Sequence, residues 1–65
     1  MRVMSEVFLI LCKQYGLNVT KSFDGHFLIG KELSYFGSVH EDVVDKMDEE
    51  EAENFIVRLL LYSSF

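Results

Sequence analysis

Residues 17–33 read LNVTKSFDGHFLIGKEL, and the way the two apolar runs pair across Asp24-Gly25 decides the fold. Both runs are short and rich in β-branched and aromatic residues, and an Asp-Gly pair between such runs is a strong hairpin signal. Side chains alternate faces along a strand, so the loop length fixes which residues lie together. With a two-residue loop, Ser22 and Phe27 share a face with Thr20 and Ile29, while Leu17, Val19 and Phe23 fall on the other. A three-residue loop puts Leu17, Val19, Phe27 and Ile29 on one side. Keeping the hydrophobic set together predicts the three-residue loop, with Gly25 at a bulge position of positive φ. His26, Leu28 and Glu32 then face outward or meet a different layer.

Upstream of the hairpin, residues 3–15 read as a helix. Met1, Met4, Phe8, Leu11 and Tyr15 follow at steps of three and four, the spacing of a helical seam, and Gly16 supplies the stop. The competing reading is a buried strand at Val7–Cys12, since a short apolar run is ambiguous by periodicity alone. Seam and glycine together favour the helix.

Downstream, residues 34–39 form either a short third strand or a loop, with Gly37 arguing against a long regular strand. Two overlapping helix starts follow: Ser38 with Glu41, and Asp48 with Glu51, both at capping-box spacing. Val39, Val43, Val44 and Met47 would form the apolar stripe of a short helix. Strand and helix compete over residues 34–47. A longer helix then runs from about Glu49 to Tyr62, with Glu49, Glu50 and Glu51 at the positive end of its dipole. Ala52, Phe55, Ile56, Leu59 and Leu60 mark its core face. The expected architecture is one small α+β domain over residues 1–65. It has an N-terminal helix, an antiparallel hairpin with or without a third strand, a short helix and a longer C-terminal helix, packed on one sheet face.

The first and last helices carry more apolar residues than one core face uses. Val3, Leu9 and Ile10 lie off the first seam, and Val57, Leu61 and Tyr62 extend apolar character around the last helix, where only Arg58 interrupts it. A helix apolar nearly all round must be covered on more than one side. A chain of 65 residues with a single cysteine has few other elements and no internal disulfide to help. These six residues are therefore the expected self-association surface, for a homodimer or a hydrophobic partner.

Net charge is −5, and it is uneven. Residues 1–40 carry four bases and three acids, a net of +1; residues 41–65 carry two bases and eight acids, a net of −6. All eight acids lie between Glu41 and Glu53. Such a chain repels a phosphate backbone and anionic lipid, which argues against direct nucleic-acid or membrane binding. Arg2 followed by Val7–Cys12 falls short of a signal peptide, because Glu6 interrupts it and the apolar run is short. Leu9-Ile10-Leu11-Cys12 lacks the small residue of a lipoprotein motif, and no apolar run approaches the ~20 residues of a bilayer span. The expectation is a soluble, cytoplasmic protein.

Catalytic patterns are missing from the sequence. His40-Glu41 opens a metalloprotease-like motif, but Val44 stands where the second histidine belongs. His40 reads instead as a helix-start residue and His26 as a solvated turn residue. Cys12 sits among Leu9, Ile10 and Leu11, an apolar setting that raises a thiol pKa and makes it inert. Asp42, Asp45 and Asp48 have i, i+3 spacing without the alternating loop of a calcium site. No enzyme activity, metal or cofactor is expected.

The acidic block has two readings. As a charged outer face it keeps an apolar chain soluble. As a docking surface, Glu41, Asp42, Asp45, Asp48, Glu49, Glu50, Glu51 and Glu53 would engage a basic partner, such as a nucleic-acid-handling protein, and inhibit or modulate it. Small accessory and inhibitor proteins of phages and mobile elements share this size and charge, an association rather than a mechanism. The alternative is an assembly subunit in which the apolar helix faces do the work and the acids serve solubility alone.

Overall fold

A computed structural model describes residues 3–63. The hairpin forms with strands β1 (Asn18–Lys21) and β2 (His26–Lys31), pairing Val19 with Ile29 and Lys21 with Phe27. One step further, the Ser22 amide donates to the His26 carbonyl at 2.8 Å, leaving Phe23, Asp24 and Gly25 as a three-residue loop. Gly25 has φ +89°, a conformation open to glycine and strained for other residues. The predicted register holds: Leu17, Phe27 and Ile29 are buried and Val19 half-buried, while Leu28 lies on the opposite, exposed face.

Helix α1 (Met4–Gln14) precedes the hairpin, so the Val7–Cys12 run is helical. It buries Val7, Phe8, Leu11 and Cys12, and Met1 of the predicted seam lies outside the described residues. Its end closes at Gly16 as expected. The Gly16 amide donates to the Lys13 carbonyl at 3.0 Å and the Leu17 amide to the Cys12 carbonyl at 2.9 Å, two bonds that satisfy otherwise orphaned carbonyls. Both Leu17 and Cys12 are buried, which ties the helix end to the first strand.

The third strand is real. Strand β3 (Ser34–His40) pairs antiparallel with β2, giving a sheet of order β1-β2-β3. Ile29 pairs with Gly37 but Gly30 with Tyr35, so Phe36 is an extra residue in a bulge. The bulge turns Tyr35 outward while Phe36 packs against the core. Gly30 makes this possible by lacking a side chain: a Cβ there would fall 2.2 Å from the Ser34 carbonyl oxygen.

After the sheet, α2 (Glu41–Asp45) and α3 (Glu49–Ser63) complete the chain. The proposed cap at Ser38 is corrected here: Ser38 pairs with Leu28 inside the sheet, and His40 caps α2 by accepting the Asp42 amide on Nδ1 at 3.1 Å. The expected stripe on one short helix is also corrected. Val39 belongs to β3, Val43 is exposed, Met47 lies beyond α2, and only Val44 is a buried residue of that helix. Asp48 does cap α3, accepting the Glu51 amide on Oδ1 at 2.8 Å.

Helices cover one face of the sheet. Phe8 is the hinge pin of that layer, its ring centroid 5.9 Å from Phe27 and 6.0 Å from Phe55. Ala52 and Ile56 are fully buried beside it, with Phe55, Leu59 and Leu60 partly so. No helix among the described residues is long and apolar enough to cross a membrane.

Candidate functional site

The eight acids of the block divide by what they touch. Glu41 pairs with Lys21, Oε2 to Nζ at 2.6 Å, and its amide donates to the Gly25 carbonyl at 2.8 Å. Both contacts fasten the start of α2 to the hairpin loop. The Lys21 ammonium, through its hydrogen bond and its charge, holds the Glu41 carboxyl below its ordinary range. Asp42 lies over the N-terminal turn beside His40. Asp48 caps α3. Glu53 accepts a hydrogen bond from the Tyr15 hydroxyl at 2.9 Å, which ties α3 to the C-cap of α1 and pushes the phenol pKa up.

The other four acids behave differently. Asp45, Glu49, Glu50 and Glu51 are exposed, and none has an ion-pair partner among the described residues. They lie at the end of α2 and in the first turn of α3, within seven positions of one another.

A polar corner missed by the sequence reading sits under the hairpin loop. The Ser22 hydroxyl donates to Asp24, and His26 Nδ1 lies 3.2 Å from the same carboxylate. These contacts, the hydroxyl first, hold the Asp24 carboxyl below its ordinary value. The His26 and His40 rings meet edge to face with centroids 4.9 Å apart, because the two residues are direct partners across β2 and β3. His40 Nδ1 accepts an amide proton, so the neutral ring carries its own proton on Nε2. No three His, Cys, Asp or Glu side chains among the described residues are grouped to hold a metal ion. Asp42, Asp45 and Asp48 do not share one helix, since α2 ends at Asp45.

The predicted self-association residues split between two places. Val3 at the N-cap of α1 and Leu9 and Ile10 on the helix are exposed, as are Leu61 and Tyr62 on α3, while Val57 is half-buried. Leu9 borders a groove with Lys13, Leu17, Asn18 and Val19. A separate groove of about 250 Å³ lies along α3, lined by Met47, Glu51, Asn54, Phe55 and Arg58. The two grooves share no residue. The sequence pattern places Phe55 on the core face and Arg58 as an interruption of apolar character, which hides the α3 groove. Its signal was present: Glu51, Phe55, Arg58 and Tyr62 follow at steps of four, three and four.

Cys12 is fully buried, and burial pushes its thiol up to about 12, which removes the thiolate at neutral pH. Phe23 and Leu33 stand fully exposed at the tips of the two turns. Compared with protein families, curated proteins and solved structures, the chain matches none.

Proposed function

We propose that this chain is a non-enzymatic binding module that docks a set of free carboxylates on a basic surface of a partner protein. A nucleic-acid-handling protein, whose own surface is built for phosphates, is the kind of target, and occupancy would inhibit or modulate it. The observation that supports this reading is the division of the acids. Glu41, Asp48 and Glu53 are engaged within the fold and the exposed Asp42 carboxylate lies beside His40, whereas Asp45, Glu49, Glu50 and Glu51 are exposed with no ion-pair partner among the described residues. Free carboxylates close together speed encounter with a Lys/Arg-lined groove, and that advantage falls with salt. The test is affinity capture at low and high salt with the native chain and with Asp45, Glu49 and Glu50 all changed to lysine. The reading expects a basic partner held by the native chain at low salt and lost in the variant. Equal capture by both would sink it.

A second reading is an assembly subunit, supported by Val3, Leu9, Ile10, Leu61 and Tyr62 remaining exposed. Single apolar side chains at a surface are ordinary, but a series along each of two helices is not. Under this reading, changing Leu61 to serine weakens self-association, and the lysine substitutions above leave it intact.

A further inference from the structure

The α3 groove carries both signs of charge. Glu51 and Arg58 line it on either side of Phe55 and Asn54, and Arg58 has no ion-pair partner among the described residues. A purely basic ligand would meet Arg58 and a purely acidic one would meet Glu51. The fitting occupant has opposite charges two helical turns apart around an apolar centre, and this helix itself has that pattern. We propose that a second copy of the chain packs antiparallel across α3, with Glu51 of each protomer paired to Arg58 of the other. The proposal rests on the assembly reading and names its surface.

The spacing supports a two-fold axis between Asn54 and Phe55. Glu51 and Arg58 lie equally far from that point, about 5 Å along the helix on either side. Tyr62, 78% exposed, lies one further turn along the same face of α3 as Glu51, Phe55 and Arg58, where it extends the apolar contact. The half-buried Phe55 rings meet near the axis. A parallel arrangement would set Glu51 against Glu51 and Arg58 against Arg58, and like charges select against it. Self-complementarity of one patch is what a two-fold dimer requires. Asp45, Glu49 and Glu50 stay outside the pairing, at its two ends, free for a basic partner.

Charge exchange tests this without disturbing the core, because Glu51 and Arg58 are exposed. Sedimentation equilibrium at low salt is run on the native chain, Glu51→Arg, Arg58→Glu and the double variant carrying both. Each single change places like charges together twice per dimer, and the association constant is expected to fall at least about tenfold. The double variant restores opposite charges and recovers association. Single variants that associate like the native chain, or a double variant that fails to recover, overturn the α3 pairing while leaving assembly through another face standing. Association then lost on changing Ile10 to serine would place the contact on α1. A native chain that stays monomeric overturns the pairing and the assembly reading together.

Discussion

Two acidic regions of this molecule look alike in sequence and differ in what their charges do. At the hairpin corner, Asp24 receives Ser22 and His26, Glu41 receives Lys21, and the Glu41 amide meets the Gly25 carbonyl. That corner closes on itself. Along the end of α2 and the start of α3, Asp45, Glu49, Glu50 and Glu51 reach solvent with no such partners among the described residues. A count of carboxylates therefore says little about docking; the useful quantity is the number left over after the fold has used its own. The corner is structural, and the open face along α3 is the proposed docking surface.

The contrast can be broken at several points. The largest effect is expected from Gly25→Val, since φ is +89° and a Cβ would sit 3.1 Å from His40 Nε2. Urea denaturation should show a loss of about 1–3 kcal/mol. Native stability in that variant would mean the corner does not hold the loop. Asp48→Ala removes the cap of α3 and should cost about 1 kcal/mol in the same assay.

Acid should act on the corner next. Asp24 and Glu41 have folded pKa values depressed below their ordinary 3.8 and 4.5. The stability they contribute is thus complete above those ordinary values and is lost as pH falls through the depressed folded ones. Urea midpoints measured between pH 6 and pH 3 should decline below about pH 4.5, and Glu41→Gln should make the decline shallower. An unchanged slope in that variant would detach Lys21–Glu41 from the acid response. The smallest effect belongs to Glu49→Gln combined with Glu50→Gln. Among the described residues these side chains have no ion-pair partner and sit in the first turn of α3, so unfolding free energy should shift by less than about 1 kcal/mol. A larger loss would show that the face is holding the fold together.

The two turns of the sheet show why some of the fold was legible and some was not. Asp24-Gly25 announces its turn because glycine at positive φ is chemically distinctive, and the alternation of Val19, Phe27 and Ile29 then fixes the loop length. Glu32-Leu33 announces nothing. Glu32 takes φ +56° without being glycine, and the fully exposed Leu33 is not a turn residue by type. Gly37 argues against a long regular strand, and β3 does carry a bulge beside it; Gly37 also opens space under α3, where a Cβ would meet Leu59 at 3.1 Å. Ser38 had capping-box spacing, but sheet pairing with Leu28 overrode that local preference. At the candidate site, the positions of the acids were legible and their engagement was not. The Lys21–Glu41 pair joins residues twenty positions apart, and only the register of three strands brings them together.

The most direct measurement is an amide-resolved NMR titration of the isotope-labelled chain with a lysine-rich peptide at low salt. Shift changes should gather at Asp45, Glu49 and Glu50, leave Asp24 and Glu41 nearly still, and vanish as salt is raised. Changes centred on the Asp24–Glu41 corner, or a response indifferent to salt, would contradict the assignment of the open face as the docking surface.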